Sequence, residues 1–327
     1  MSMTATRTGS RLLALCASLA IAGTAWAADT YPDHKIRMIV PFAAGGPTDV
    51  IGRLVAERLS GVLGQQVYVE NLPGAGGNLG VETAKRAAPD GYTIVAVSTG
   101  FIINPSMYSK IGYDPLKDFA PISLVAASPN VITVHPSVPA KNLKELIDLV
   151  KAKPDAFSYA QPSTGSTPHL AAEQMKQMFG LDLVMVPFNG APLAINSALG
   201  NHTPIAFTAL PPAIGAIKDG SLKGIALLAK QRVAALPDLS TNIEQGVPGL
   251  ESDTLTGIVA PAGTPPAIVE KWHAAIVKMA ADPAVRQKLD ALGFVPVANS
   301  PAEFAERIKS EAARWDKVVK AAGIHMD

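Results

Sequence analysis

The chain is poor in the groups around which most enzymes are built. It has one cysteine and six histidines in 327 residues, and aromatic side chains make up only 6%. The single cysteine, Cys16, lies in an N-terminal stretch with the features of a secretory leader. Arg7 and Arg11 form a basic region, Leu12 to Ala25 is apolar, and Ala25-Trp26-Ala27 is a small-residue cleavage signal. Residues 1–27 therefore read as a signal peptide cut between Ala27 and Ala28, and the mature protein as periplasmic. The apolar run is shorter than the roughly 20 residues that span a bilayer. Leu15 before Cys16 is not the small residue that a lipoprotein signal needs, and Arg7 and Arg11 are not adjacent as in a twin-arginine signal. Cleavage removes the cysteine, which excludes a disulfide, a catalytic thiol and a thiolate metal site.

Charge of one sign is lacking as well. Taking Arg7 and Arg11 from the 28 basic residues leaves 26 against 27 acids, a formal mature charge of −1. Near-neutral balance with six tyrosines argues against nucleic acid as a partner, since that wants a basic face. No later segment is long and apolar enough to cross a membrane. There is no G-x-x-x-x-G-K-[ST] phosphate loop and no G-x-S-x-G nucleophile elbow. Gly74-x-Gly76-x-x-x-Gly80 is one residue too long for a dinucleotide fingerprint and lies downstream of the first strand unit. His169 and Glu173, four apart on a helix, could share a metal, but no second cluster completes that site. His34, His135, His202, His273 and His325 are scattered and lack motif partners. No cofactor, no metal and no catalytic residue is expected, and the chain does not read as an enzyme.

What is present is an alternation of short apolar runs with helix-period segments. Strands are expected at Ile36–Val40, Val67–Glu70, Thr93–Val97, Ile122–Ala126, Val131–His135, Phe157–Ala160, Leu183–Val186, Ile205–Thr208, Gly224–Leu228 and Gly257–Ala260. Helices are expected at Val50–Leu63, Leu79–Ala87, Leu143–Lys153, Pro168–Phe179, Pro192–Leu199, Ala213–Asp219, Pro266–Ala280, Pro283–Leu292 and Pro301–Ala322. Proline recurs in the first turn, at Pro168, Pro192, Pro283 and Pro301, where its missing N–H costs nothing. The pattern predicts α/β layers with mainly parallel strands.

Five strand-to-helix turns share one chemistry. Gly45-Gly46-Pro47-Thr48 follows the first strand, and Asn71 to Asn78 the second. Ser98-Thr99-Gly100 follows the third, Ser163-Thr164-Gly165-Ser166-Thr167 precedes the helix at Pro168, and Asn189-Gly190-Ala191 precedes the helix at Pro192. A glycine turn at a helix start leaves backbone N–H groups aimed at one point with the helix dipole behind them, which suits an anion. In an open α/β sheet, ligands bind beyond the carboxyl ends of the strands. The plain alternative for any one turn is that Gly, Ser and Thr make good turns and caps. The candidate ligand-binding residues are Phe42, Ala43, Gly45, Gly46, Thr48, Asp49, Gly76, Asn78, Ser98, Thr99, Ser163, Thr164, Thr167, His169, Phe188, Asn189, Gly190 and Thr208. Asp49 either braces the first turn or receives a ligand ammonium group. Thr167 is a helix cap, a ligand hydroxyl, or both; His169 is a packed residue or a ligand donor. Phe42 and Phe188 either sandwich the ligand or belong to the core.

Several segments carry a family resemblance. Pro41-Phe-x-x-Gly-Gly-x-Thr-Asp49, Val69-Glu-Asn-x-Pro-Gly-Ala-Gly-Gly77, Pro89-Asp-Gly-Tyr-Thr93 and Tyr113-Asp-Pro-x-Lys-Asp-Phe119 are four of them. Gly165-Ser-x-x-His-Leu-Ala-Ala-Glu173, Val186-Pro-Phe-x-Gly190 and Ala260-Pro-Ala-Gly-Thr-Pro265 complete the series. In this order they resemble Bug-type receptors, the extracytoplasmic solute-binding proteins of tripartite tricarboxylate transporters, over residues 28–327.

The resemblance implies a periplasmic binding protein of type II-like architecture, with two α/β lobes, a ligand cleft between them and two interlobe crossings. Lobe one would be residues 28–127 with 253–327, lobe two 128–252, and the crossings would lie near Ala126–Val131 and Glu251–Gly257. It implies a small carboxylate as ligand, lobe closure on it, inner-membrane permease subunits as partners, and a monomer. A sensor that reports to a signalling partner, and a carboxylate-processing enzyme, are the alternative uses of such a cleft. Asn189 stands where the family usually has lysine, Phe188 where it has tyrosine, and Leu255 where tryptophan is common. Asn201-His202-Thr203-Pro204 replaces a more usual glycine-rich turn. The lost lysine favours a ligand with fewer carboxylates.

Overall fold

The computed structural model describes residues 31–153 and 156–326. The leader and its cleavage position lie outside the described residues. The first half opens with β1 (Ile36–Val40), α1 (Pro47–Leu63), β2 (Val67–Asn71), α2 (Asn78–Lys85), β3 (Thr93–Ser98), α3 (Thr99–Met107) and β4 (Phe119–Val134). Then come α4 (Leu143–Ala152), β5 (Ser158–Gln161), α5 (Thr167–Phe179), β6 (Val184–Pro187), α6 (Ala191–Leu199), β7 (Ile205–Ala209), α7 (Ile214–Lys218) and β8 (Lys223–Leu228). The chain closes with β9 (Asp253–Pro261), α8 (Pro266–Ala281), α9 (Pro283–Ala291), β10 (Val295–Pro296) and α10 (Pro301–Ala322).

Period-two alternation in the strands explains the layering. Met38 and Val40 face one way with Ile94 and Ala96, onto Ile51, Leu54, Val55 and Leu59 of α1 and Trp272, Ile276 and Met279 of α8. Ile39, Val95 and Val97 face the other way, onto Val81 of α2, Phe101 of α3, and Phe304 and Ile308 of α10. The second half repeats the arrangement. Ile132, Tyr159, Ile205 and Phe207 pack on α4 and α5, while Val131, Ala160, Ala206 and Leu227 pack on Ala194, Ile195 and Ala198 of α6. Each half is thus a sheet covered on both faces, the arrangement expected of α/β proteins. A small cluster joins the two: Leu170 of α5 packs with Ile103 and Met107 of α3 and with Trp315, Val318 and Val319 of α10.

The strands run β2-β1-β3-β9-β4-β7-β5-β6, with β10 and β8 also on β4. Within each half the neighbours are parallel: β2-β1-β3 in the first and β6-β5-β7 in the second. The expectation of mainly parallel strands fails in the middle, where β9 is antiparallel to both β3 and β4, and β4 is antiparallel to β7, β8 and β10. The cause is β4, a strand of 16 residues that serves both halves. It pairs with β9 as far as Pro129 opposite Asp253, then changes partners, placing Asn130 opposite Ala209 and Leu228. Two separate strands were expected here, at Ile122–Ala126 and Val131–His135; the ladder runs through the intervening Ser128-Pro129-Asn130. Register also sets the site: Val40 pairs with Asn71, so the first two turns leave the sheet side by side.

Gly257 of β9 is a close-approach glycine. A Cβ there would lie 2.2 Å from Cζ of Phe304, which is fully buried. Gly257→Ala is expected to cost about 1–3 kcal/mol through overpacking, read as a loss of several degrees in melting temperature. Gly61→Ala, inside α1 with open space around it, is expected to raise stability by up to about 1 kcal/mol. Equal effects of the two substitutions would contradict the packing account.

Candidate functional site

The first turn runs from Pro41 to Gly46 and feeds α1, whose N-cap is Gly46 in extended conformation with no side-chain cap bond. Asp49, the third helical residue, reaches back. Its Oδ2 accepts the Gly45 N–H at 2.8 Å and the Arg53 Nε–H at 2.9 Å, and its Oδ1 accepts Asn71 Nδ2 at 2.8 Å. Asn71 Nδ2 also donates to the Phe42 carbonyl at 2.9 Å, and Arg53 donates to Asn71 Oδ1 at 2.8 Å. Asp49 is 2% exposed. Burial pushes its carboxyl pKa up, but the Arg53 guanidinium, the Gly45 N–H and Asn71 outweigh it and hold the pKa below the usual carboxylate range. Both carboxylate oxygens are engaged, so Asp49 braces the turn.

The second turn contains a short 3-10 segment, Ala75–Gly77. Gly77 sits at φ +98°, and a Cβ there would be 3.0 Å from Cζ of Phe42, so the ring lies against its backbone. Asn78 is buried; its Oδ1 accepts Asn104 Nδ2 at 2.6 Å and the Tyr113 hydroxyl at 3.3 Å. Asn104 Nδ2 also donates to the Gly76 carbonyl at 3.2 Å. In the third turn, Ser98 caps α3, its Oγ accepting the Gly100 N–H at 3.2 Å. Phe42, Gly76 and Ser98 therefore meet, with Asn104 and Tyr113, in one narrow recess that has no room for a water molecule.

In the second half, α5 starts after Ser166 without a side-chain cap bond. The Gly165 N–H instead donates to His169 Nδ1 at 3.0 Å. Burial is the main influence on His169 and holds its pKa below the usual histidine value, Glu173 raising it and Lys176 lowering it. A neutral ring that accepts at Nδ1 carries its proton on Nε2. Glu173, the partner considered for a metal, binds the Tyr159 hydroxyl at 2.7 Å and Lys176 at 3.0 Å. The turn after β6 is tied to the turn after β5: Phe188 N–H donates to the Gln161 carbonyl at 2.9 Å, and Gly190 N–H to the Pro162 carbonyl at 2.8 Å. Phe188 is half-buried against the α6 cluster, and Ser163, Asn189 and Ala43 are exposed. Thr208 is fully buried, and its hydroxyl has no partner among the described residues.

The start of β9 gathers residues from both halves. Thr99 Oγ1 accepts the Leu255 N–H at 3.0 Å. The Thr167 and Thr254 hydroxyls meet at 2.7 Å, Thr254 donates to Asn130 Oδ1 at 3.3 Å, and Asn130 Nδ2 donates to Ser252 at 2.7 Å. Arg307 of α10 forks onto the Asp253 carboxylate at 3.0 and 3.1 Å. Thr99 and Thr167 thus converge on residues 253–255, and Phe42, Gly76, Asn78 and Ser98 gather at the recess, whereas Ala43, Gly45, Gly46, Thr48, Asp49, Ser163, Thr164, His169, Phe188, Asn189, Gly190 and Thr208 join neither. The candidates read from the sequence leave out Arg53, Asn104, Asn130 and Thr254, and also Asn71 and Tyr113, which appear in the quoted turn and motifs without a role. Of the four outside those segments, Arg53 had a local signal, its spacing of four from Asp49.

A sheet of two covered halves, with helix starts gathered at strand ends on either side of a shared strand pair, is the architecture of a two-lobed periplasmic binding protein. The tripartite tricarboxylate transporter family receptor matches residues 51–324, and the chain belongs to that family. The solved periplasmic binding protein BugD is 35% identical, with TM-score 0.79, covering 91% of this chain and 100% of its own. A Rhodopseudomonas palustris protein solved with adipate, Rpa4515, is 31% identical with TM-score 0.83, covering 90% and 99%. MatC from the same organism, solved with bound malate, is 31% identical with TM-score 0.78, covering 88% and 100%.

Asp49→Ala removes charge-assisted bonds from a buried carboxylate and is expected to cost about 1–3 kcal/mol; Arg53→Ala, at a half-exposed side chain, is expected to cost less. Urea titrations of both variants check the order, and a larger loss from Arg53→Ala would contradict the bracing role. His169 has a folded pKa below its unfolded value. Its contribution is therefore intact above about pH 6.5 and is lost as pH falls below that value. Thermal unfolding between pH 5 and 8 is expected to show a steeper acid-side loss for the wild type than for His169→Asn. Parallel profiles would contradict the assignment.

Proposed function

We propose that this receptor captures a small organic carboxylate in the periplasm and hands it to the membrane permease of a tripartite tricarboxylate-type transporter. The ligand would be a dicarboxylate, an aromatic acid or an acidic amino acid. Residues 28–127 with 253–327 would form one lobe and residues 128–252 the other, the leader 1–27 having been cut between Ala27 and Ala28. Ligand entering the open cleft would bridge helix starts from both lobes and shift the population toward a closed form. The permease would read that form on a monomeric receptor.

One observation carries this reading. The helices at four of the five candidate turns, α1, α2, α5 and α6, begin without a side-chain cap bond. Helices α4, α9 and α10, away from these turns, are capped by Asn142, Asp282 and Ser300. The pattern has exceptions on both sides: Ser98 caps α3, and α7 and α8 start uncapped after Ala213 and Pro265. Uncapped first-turn N–H groups are the donors that a carboxylate needs, each helix end contributing about 0.3–1 kcal/mol when exposed and up to ~2 when partly buried. Adipate and malate in the two R. palustris neighbours support a dicarboxylate. Because both oxygens of Asp49 are already engaged, the acids favoured are those without an ammonium group at that end.

Gly46 makes the reading testable. Its extended backbone suits a capping residue, and a Cβ there would meet only the Ala43 carbonyl, at 3.7 Å. Gly46→Asp would supply the missing cap, steadying α1 by roughly a few tenths of a kcal/mol while occupying the donors and adding a negative charge. In a thermal-shift screen of organic acids, a wild-type ligand at 100 times its dissociation constant adds about 2.7 kcal/mol. The variant is expected to melt no lower than the wild type without ligand and to lose the ligand shift. A retained shift in the variant, or wild-type shifts with neutral sugars alone, would overturn the proposal.

A further inference from the structure

Gln161 ends β5, directly before the Ser163–Thr167 turn, and is fully buried. Its backbone carbonyl takes the Phe188 N–H and the next carbonyl, that of Pro162, takes the Gly190 N–H, so the residue stands between the two second-half turns. Its side-chain orientation is fixed from one end. Oε1 accepts the Ser163 N–H at 2.7 Å and the Ser166 hydroxyl at 3.4 Å. Flipping the amide would set its NH2 group against the Ser163 N–H, so Nε2 is held at the other end. That Nε2 has no acceptor among the described residues and is shielded by protein.

A buried amide donor with nothing to bond is rare in folded proteins and calls for an explanation. Bracing the turn needs only the oxygen and does not account for the NH2 group. A second unpartnered polar atom lies on the adjacent strand: the Thr208 hydroxyl near the carboxyl end of β7. Strands β5 and β7 run parallel with Ala160 opposite Ala206, so both groups lie at the end of the sheet where the turns gather, Gln161 on the α5 face and Thr208 on the α6 face.

We infer that Gln161 is the second lobe's side-chain donor to the ligand, its Nε2 pointing a fixed N–H at one carboxylate oxygen, directly or through one water. This rests on the carboxylate-receptor reading and deepens it. The backbone N–H groups attract any anion, whereas Gln161 discriminates: a donor welcomes a carboxylate oxygen and leaves a carboxamide NH2 or an ammonium at that position without a partner.

The test is calorimetric titration of malate, adipate, benzoate and glutamate, each beside its carboxamide, into the wild type, Gln161→Met and Gln161→Glu. Gln161→Met keeps the length without the donor and is expected to weaken the acid about tenfold, the size of one lost hydrogen bond to a charged group. Gln161→Glu keeps the acceptor for Ser163 but repels the acid, and its preference for acid over carboxamide is expected to collapse or reverse. A residue that only held the turn would weaken both ligands equally. Affinities within about twofold of wild type, or an unchanged acid-to-carboxamide ratio, overturn the assignment to Gln161 while leaving the receptor intact. Failure of the wild type to bind any of the four acids overturns the receptor reading and this one together. A readout independent of the variants' folding is the wild type labelled with 15N-glutamine. One side-chain NH2 pair is expected to shift and become protected from exchange on adding the bound acid; no responding glutamine would overturn the assignment.

Discussion

Backbone N–H groups at a helix start must bond to something, and this molecule leaves several of them without the usual answer. Serine, aspartate or asparagine caps would have cost little, as Asn142, Asp282 and Ser300 show elsewhere in the same chain. At the candidate turns the cap positions instead hold Gly46, Gly77 and Gly190, and Ser166 does not turn back onto its helix. Much of the surrounding polar architecture compensates for that choice. Asp49 ties Gly45, Arg53 and Asn71 together, and His169 takes the Gly165 N–H. The turns before α1 and α5 are therefore held from the side, with no cap side chain on their helix donors. In the proposed receptor, such bracing would let the dipoles act on an anion without reorganising when it arrives.

The two halves meet through the pairing of β4 with β9 and through the polar cluster on the first residues of β9. Asn130, Thr167 and Ser252 are all nearly or fully buried, and each makes a bond to a residue distant in sequence. A buried polar network of this sort is costly if disturbed and specific if complete. Thr99 and Thr167, from different halves, are bonded to neighbouring residues of one strand, which gives motion at one turn a short physical route to the other. The α10 helix adds a second tie, with Trp315 beside Leu170 and Arg307 on Asp253.

Legibility in the sequence followed locality. The strand-glycine-helix turns stood out because strand periodicity, glycine and a helix start are all short-range signals, and the first-turn prolines marked helix entries at Pro168, Pro192, Pro283 and Pro301. The α3 helix was missed because Gly100, Asn104 and Pro105 are poor helix formers; burial of Phe101, Ile102 and Ile103 outweighs their propensity. The β4 strand was split at Ser128-Pro129-Asn130, which reads as a turn. The β9 ladder and the bond from Asn130 N–H to the Ser252 carbonyl keep it extended. The partners of Asp49, Asn78 and Thr167 lie up to 87 residues away, and no local pattern announces them. Family motifs gave the turns a shared purpose, but which side chains brace and which remain open could be read only from the hydrogen bonds.

Backbone amide NMR of the isotopically labelled protein, recorded as a dicarboxylate is added, reads the helix-start protons one by one. Downfield shifts and slowed exchange are expected for first-turn amides of the uncapped helices, Thr48, Asp49, His169 and Leu193 among them. Lys144, Glu145 and Glu303, at capped helix starts, should stay still. A bound dicarboxylate that left the first group unmoved, or moved the capped starts instead, would contradict the uncapped helix starts as the carboxylate's donors.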